Sequence, residues 1–438
     1  DFCLSRGLGD VYKRQLLMDA YSFLEQLFFP NIKLYFVALF ISQLFLLPLY
    51  LRRVRSVIDP LLLSLFFVGL ANAIPVFLLL TKNVSTELFS FFACSQILFW
   101  TIFYISSAKS FPIKKKGRKV AYRRFDDLFF KVCLALYVLT TLYSYAINGI
   151  PLFNENRFAQ NIDNSSGILG LLSRLSSSVS LMVLIYTIYL FKNKRYKKSL
   201  LPIGVILIFS FFSGAKGFIL NIVSAIFFYF LYYENYVPKI KKIYIVVGTL
   251  TPLLTIIIGG LSDLGSAFYY FIYRLLAGGD IYWNAYPNDI INSLDYNRSG
   301  LLNMSYMLWG PFRHLFGLEV NEAQMMTTVG ADLFEITTGF YPSGGAPNSP
   351  FTVTFWAYYG WYSLIGVAIL ALGSSSLCYH VQNSMPNTLP NTCFKAFLFR
   401  CGTSAFIDIY LFFNNLFGLF LFYCIYKSLK FLFVNLSK

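Results

Sequence analysis

The chain has 438 residues, of which 57% are hydrophobic and only 13% are charged, and its mean hydropathy is +0.60. These values exclude an ordinary soluble globular protein and indicate an integral membrane protein, because one helical span takes about 20 mostly apolar residues. The net charge of +16 does not indicate nucleic-acid binding. The basic residues lie beside hydrophobic runs, which is the position of residues that set membrane topology or contact anionic lipids.

The first residues, DFCLSRGLGDVYKRQ, differ in composition from the rest of the chain. They resemble the translation of a sequencing adapter, so residues 1–17 are expected to be a non-native extension and are set aside from the fold. Met18 is then a candidate start, with a missing upstream helix as the alternative. Residues 18–438 are expected to form a single polytopic membrane domain.

Long apolar runs predict an all-α polytopic membrane protein with about eleven transmembrane helices. In chain order the runs cover residues 34–51, 60–81, 87–108, 128–147, 168–191, 200–214, 217–233, 243–260, 351–378, 393–411 and 412–429.

Basic clusters fall in alternate loops between these runs, at 52–55, 114–124, 192–198, 239–242 and 427–438. Because loops rich in lysine and arginine stay in the cytoplasm, these loops are expected to be cytoplasmic. The loops at 148–167 and 261–350 then lie outside, and neither contains lysine. The larger is expected to be one long outer loop containing short helices.

Isolated cations on the expected outer side form a candidate anion site. Guanidinium groups bind phosphate through paired hydrogen bonds, and a charge at membrane depth is by default a functional hypothesis. The set suits a lipid diphosphate, and its candidate ligands are Arg157, Arg174, Lys216, Arg274 and Arg313. Lys216, at the tip of the tight SGAKG hairpin, has the alternative of extending its amine to the membrane surface. Arg174 lies about two turns inside the fifth span. Because of this depth, extension of the side chain to the membrane surface is the weakest alternative for Arg174.

Other kinds of chemistry lack the residues that they need. The outer face has no ATP, and neither a P-loop nor a dinucleotide fingerprint occurs. Two histidines, His314 and His380, are too few for a histidine-rich metal site or a convincing serine triad. The seven cysteines show neither zinc spacing nor a disulfide framework. We therefore expect no metal and no cofactor.

The stretch DIYWNAYPNDIINSLDYN, residues 280–297, is rich in aromatic, amide and carboxylate side chains. Proteins commonly bind sugars through such groups. The candidate sugar-binding residues are Trp283, Tyr286 and Asp289. Tryptophan and tyrosine also form belts at the membrane surface, which is the alternative for each ring.

Several of these features together resemble a known family. They are the first outer loop NGIPLFNENRF, the SGAKG hairpin, YRLLAGGDIYW, the long outer loop and GGAPNSPFTVTFWAYYGWYSLIG. From about residue 30 to the end, the chain resembles the Wzy-type polymerases of bacterial O-antigen and capsular repeat units.

The resemblance implies a metal-independent membrane glycosyltransferase of the GT-C kind in the bacterial cytoplasmic membrane, with its site facing the periplasm or the outside. Such an enzyme transfers a growing glycan from undecaprenyl diphosphate to a lipid-linked repeat unit. Its leaving group is the lipid diphosphate, whose developing charge arginines would stabilise. The family also implies a chain-length regulator and a flippase as neighbours.

Residue by residue, Arg157 matches the arginine after the G-x-P-x-F opening of the first loop, and Arg274 with Asp280 matches the arginine and GD step of the second. Two positions depart from the pattern. Lys216 stands where many relatives have arginine, and Thr354 stands where glutamate is common, which weakens any essential role for an acid there.

Two residues are candidates for the catalytic base. Asp280 would either orient Arg274 or accept a proton from the acceptor hydroxyl. His314, beside Arg313, is the other candidate, because a histidine titrates near neutral pH; the alternative is a histidine that is simply packed or exposed.

Polar side chains also occur in the last apolar runs. Asp408, Asn414 and Asn415 would line a cavity or pair helices by hydrogen bonds, and pairing is favoured.

Three other functions remain open. An O-antigen ligase-like enzyme would use the same donor but transfer the finished glycan once. A flippase or transporter of lipid-linked sugars would also hold diphosphate by cations, although the long outer loop and the lack of inverted repeats count against it. A noncatalytic anchor or sensor is the third.

Overall fold

The computed structural model describes residues 20–108, 110, 123–153, 167–213, 218–237, 264–294, 296, 300–310, 327–342 and 346–436. These residues form helices joined by turns, and no β-strand occurs among them. Long apolar helices dominate, so the predicted all-α polytopic membrane fold is confirmed.

The principal helices, in chain order, are α1 (Ile32–Arg53), α2 (Pro60–Leu80), α3 (Thr86–Ala108), α4 (Arg123–Asn148), α5 (Gly167–Lys192), α6 (Tyr196–Ser213), α7 (Phe218–Phe228), α8 (Leu264–Leu276), α9 (Asp280–Ala285), α10 (Val329–Thr338), α11 (Phe351–Tyr359), α12 (Leu364–Ser375), α13 (Leu389–Ser404) and α14 (Ile409–Leu436). Short helical segments cover Phe23–Phe28, Tyr229–Tyr233, Gly300–Met304, Tyr306–Trp309, Ser376–His380 and Val381–Ser384.

Eight helical stretches of the described residues are long and apolar enough to cross a bilayer: Ile32–Leu49, Pro60–Leu80, Thr86–Ala108, Arg124–Phe153, Leu169–Lys192, Tyr196–Ser213, Phe351–Ser384 and Ile409–Asn435. They match eight of the predicted runs. The predicted span at 217–233 is represented by a shorter apolar helix, Leu220–Tyr233, and the one at 243–260 lies outside the described residues. The predicted total of eleven is therefore not confirmed.

The predicted span at 393–411 is divided between α13 and the start of α14. α13 is 16 residues long, or about 24 Å at 1.5 Å per residue, and it carries Lys395 and Arg400. Its side chains are nearly all buried, because α5, α7, α12 and α14 pack around it. The structure thus has a short, central helix with two cations where the sequence predicted a plain apolar span.

The local sequence sets the start of several helices. Asp59 accepts a hydrogen bond from the backbone N–H of Leu61 at 3.0 Å, and Pro60 fills the first position of α2, where no N–H donor is needed. Thr388 caps α13 in the same way by accepting from the N–H of Asn391. Inside α2, Pro75 cannot donate to the carbonyl of Ala71, four residues earlier.

The hydrophobic interior is divided into two clusters. The larger is built mainly from α3, α5, α13 and α14, with Phe99, Tyr186 and Phe397 among its buried side chains. The smaller joins the segment Phe23–Phe28, α1 and α2 to α9 and α10. The second cluster fixes α9, from the long loop between the eighth and ninth predicted spans, against a membrane helix.

Candidate functional site

The AGGD turn, residues 277–280, joins α8 to α9 and packs on α2. A β-carbon added to Gly279 would stand 2.9 Å from the carbonyl oxygen of Ala71 and 2.7 Å from Cδ1 of Ile74. Because no side chain fits between the two backbones, glycine is required there. A β-carbon on Gly278 would have nothing within 4 Å, so this position borders open space.

Asp280 is the first residue of α9, and its carboxylate is partly enclosed. Oδ1 is shielded from solvent and has no hydrogen-bond partner within the described part of the chain. Burial raises the pKa of Asp280 to about 7, and this increase outweighs the lowering by hydrogen bonds from the backbone of Ile281 and of Asp280 itself. A carboxyl group with such a pKa exchanges protons readily at neutral pH, as a general base must.

Arg274 lies in the last turn of α8 and is exposed. Only the short 3₁₀ turn Ala277–Gly279 separates α8 from Asp280. The close packing of Gly279 on α2 therefore anchors a segment that has an arginine on one side and a carboxylate on the other.

Trp283 and Tyr286 are buried, each with only 1% of its surface exposed. The ring of Trp283 stacks on Phe23 at 4.4 Å between centroids, and Tyr286 packs against Tyr282. Neither ring offers a face to a sugar in this structure, so their placement supports interior packing in place of the predicted sugar contact.

Asp289, the third candidate for sugar binding, is exposed next to Asn288. Both residues have left-handed backbones, with φ of 54° and 55°, a conformation that asparagine and aspartate tolerate better than most residues. The pair forms a polar corner after α9, and Asp289 stays available for the predicted role.

Arg174 is held by other helices. Its Nε donates to Oδ1 of Asn414 at 2.7 Å, and its Nη2 lies 3.4 Å from Sδ of Met307. The guanidinium also lies 5.6 Å from the centre of the Phe417 ring. These contacts join α5 to α14 and support a helix-pairing role in place of the predicted diphosphate contact.

The remaining predicted site residues, Arg157, Lys216, Arg313 and His314, lie outside the described residues. Their predicted roles stay predictions.

The predicted pairing of helices is confirmed for Asn414, whereas Asp408 bonds to the first turn of α14 and to the segment before α11. Asp408 accepts hydrogen bonds from the backbone N–H groups of Ser349 and Leu411, at 2.7 and 2.8 Å, while Asn414 accepts from Arg174. Thr354, which stands where glutamate is common in the resembled family, is fully buried and donates to the carbonyl of Ser349.

A cavity of about 180 Å³, which we call the Gly278 cavity, lies beside the AGGD turn. Its described walls come from α2, the AGGD turn, α9 and the segments before α11 and α14, and include Asn72, Gly278, Tyr282 and Asn348. Tyr282 shares a 2.9 Å hydrogen bond with the hydroxyl of Thr352. The turn that holds Asp280 therefore borders an internal space.

A second cavity, of about 350 Å³, lies between α2, α4, α5, α6, α7 and α13, and we call it the Arg400 cavity. Phe67 and Ile407 line both cavities, so the two are neighbours. Arg400 is the one charged side chain among the described residues that line it.

Arg400 was missed in the sequence because its segment was assigned to an apolar span. The sequence does contain an indication of it, because Lys395 and Arg400 interrupt that apolar run. A charged residue at membrane depth is by default a candidate functional residue. The ammonium group of Lys395 donates a hydrogen bond to Oδ1 of Asn387 at 2.6 Å. Arg400 has no such bond within the described part of the chain.

Comparison with known proteins found no matching family model, and no match among the curated proteins or the solved structures. The resemblance to Wzy-type polymerases therefore stays a prediction.

Proposed function

We propose that the protein is a metal-independent membrane glycosyltransferase that polymerises oligosaccharide repeat units carried on undecaprenyl diphosphate. The product would be a surface polysaccharide, O-antigen or capsule, made at the outer face of the bacterial cytoplasmic membrane by a GT-C-like fold. The observation that carries the proposal is Asp280, whose pKa is raised to about 7 beside a cavity and one short turn after Arg274.

In the proposed reaction, a hydroxyl of the acceptor repeat unit attacks the anomeric carbon of the donor glycan. The bond from that carbon to the diphosphate oxygen breaks, and undecaprenyl diphosphate leaves with the bonding electrons. Asp280 accepts the proton of the hydroxyl. Arg274 stabilises the negative charge that develops on the leaving diphosphate.

Other residues complete the proposal from the sequence. Arg157, Lys216 and Arg313 would add to the diphosphate contacts, His314 is the alternative base, and Asp289 would contact sugar. A chain-length regulator and a flippase would work beside the enzyme.

The test uses the purified full chain in lipid with lipid-linked oligosaccharide extracted from the source organism. Products are separated by size on a gel. We expect a ladder of evenly spaced lengths, and we expect Asp280→Asn to slow its formation by about 10²–10⁴-fold, as loss of a general base does. Arg274→Ala is expected to lower the rate as well, because the leaving charge loses a partner.

Glu87→Gln is the matched control, because Glu87 is an exposed carboxylate in the first turn of α3, on the same expected side. It should leave the ladder unchanged. A normal ladder from Asp280→Asn would remove Asp280 from the mechanism. A single transfer onto an added lipid A core would identify a ligase.

A transporter of lipid-linked oligosaccharide is the second candidate. The observation that favours it is the Arg400 cavity, which lies partway along the membrane helices, where transporters hold their substrates. Unchanged substrate with folded protein, together with its movement across vesicle membranes, would support transport over polymerisation.

A further inference from the structure

Arg400 is a cation inside the membrane domain that has no hydrogen-bond or ion-pair partner among the residues that the structure describes. A charge removed from bulk water is costly unless something pairs with it. Because Arg400 lines a cavity between helices of that domain, a ligand in that cavity can supply the partner.

The walls around Arg400 are suited to an anion. The side chains of Ser64, Asn221 and Ser224 line the same cavity, and none of them has a hydrogen-bond partner within the described part of the chain. No aspartate or glutamate is among the described lining residues. One positive charge and several neutral donors, with no described carboxylate to compete, favour an oxyanion.

The dimensions limit the ligand to a small group. The cavity of about 350 Å³ is near the lower end of ligand pockets, which run from about 300 to 1,000 Å³. Phe67 and Leu220, on its rim, are 45% and 42% exposed. Because both belong to apolar helices, the rim opens toward the bilayer between α2 and α7.

We propose that the Arg400 cavity binds a phosphate group, with Arg400 as the ionic partner and Ser64, Asn221 and Ser224 as further hydrogen-bond donors. A guanidinium matches phosphate because its planar fork donates two hydrogen bonds at once. The phosphate comes either from a lipid that enters at the rim or from free phosphate. The site is distinct from the AGGD turn, although its cavity and the Gly278 cavity are neighbours.

The experiment measures the thermal unfolding midpoint of the full chain in phosphatidylcholine nanodiscs, because a ligand that binds the folded state raises it in a concentration-dependent way. One series adds phosphatidic acid to the nanodiscs, and a second adds inorganic phosphate to the buffer. We expect a saturable increase in at least one series. An increase with phosphatidic acid alone identifies a lipid phosphate, and an increase with inorganic phosphate identifies a free ion.

Arg400→Gln should need at least tenfold more of the effective ligand to reach the same increase. Arg400→Lys should be intermediate, because it keeps the charge but loses the fork. Arg195→Gln removes an exposed cation outside the cavity and should respond like the wild type.

Ser224→Leu fills the cavity and leaves Arg400 in place, so it tests the site even when Arg400→Gln does not fold. It should also lose the response. A wild-type midpoint that neither ligand changes would overturn the proposal. So would a response that both Arg400→Gln and Ser224→Leu retain, or that Ser224→Leu retains when Arg400→Gln does not fold.

Discussion

At the residue scale, the enclosure of the Asp280 carboxyl group makes the free energy of unfolding depend on pH. Its ordinary pKa is 3.8, and burial raises it to about 7 in the folded protein. The folded state therefore holds a proton between these values that the unfolded state has released, so the free energy of unfolding falls as the pH rises through this window. We expect Asp280→Asn, which cannot ionise, to raise the thermal midpoint relative to the wild type at pH 8 but much less at pH 5.

The comparison uses the difference between variant and wild type at each pH, so that other titrating groups cancel. Glu87→Gln, an exposed carboxylate variant, should show no such pH-dependent difference. An equal difference for Asp280→Asn at pH 5 and pH 8 would contradict the enclosure of Asp280.

The contact between Arg174 and Asn414 gives a second prediction. Replacing Arg174 by alanine leaves the half-buried amide oxygen of Asn414 without its donor, which should lower the free energy of unfolding by about 1–3 kcal/mol. In a double-mutant cycle with Asn414→Ala, the two changes should be coupled by about 0.5–3 kcal/mol, because the residues are in contact. Additive effects would mean that Arg174 acts elsewhere, as in the predicted diphosphate site.

Sequence patterns identified some side chains better than others. Asp280 and Arg274 stand out as polar residues beside apolar runs, so local sequence is enough to find them. The burial of Trp283 depends on Phe23, which is far away in the chain. A single sequence does not reveal such a contact, so an aromatic residue in a polar loop is compatible with a ligand contact as well as with packing.

At the element scale, the two glycines of the AGGD turn form a natural pair for mutation. Gly279→Ala places a β-carbon against the backbone of α2, and such overpacking should lower the free energy of unfolding by about 1–3 kcal/mol. Gly278→Ala meets nothing within 4 Å and should change it by less than about 0.5 kcal/mol.

Chemical or thermal unfolding of both variants in the same detergent provides the measurement. Equal effects at the two positions would mean that the turn does not lie against α2 as described.

The helices themselves were predicted with uneven success, and the reasons are physical. Long apolar runs such as 60–81 and 87–108 coincide with α2 and α3, since spans must be continuous and hydrophobic. α13 differs because it is surrounded by protein, so its sequence needs neither full span length nor freedom from charge. Hydropathy predicts which helices contact lipid, so it does not identify a helix that other helices shield from lipid.

At the scale of the whole molecule, the alternation of basic loops predicts which ends of the helices face outward. In intact cells, a membrane-impermeant maleimide should label Asn288→Cys, whereas Lys197→Cys should be labelled only after permeabilisation. Both residues are exposed. The unsubstituted protein, which has free cysteines such as Cys94, provides the background, and the reverse pattern would invert the topology and move the AGGD turn to the cytoplasm.

The Arg400 cavity shows what the sequence could not predict at this scale. Its walls come from six helices spread between α2 and α13, and the order of the helices in the chain does not determine which of them meet. Arg400 can be recognised in the sequence as a charge within an apolar run. The cavity around it cannot be recognised in the same way.

The close approach of Gly279 to Ala71 involves a backbone oxygen whose helical hydrogen bond is missing. Pro75 deprives the carbonyl of Ala71 of its usual helical donor, and the same oxygen faces the AGGD turn. Ala71 is also one of the residues that line the Gly278 cavity, so this main-chain acceptor belongs to a residue shared by the turn and the cavity. Alanine scanning cannot delete that acceptor, so a survey limited to side chains would not detect its contribution.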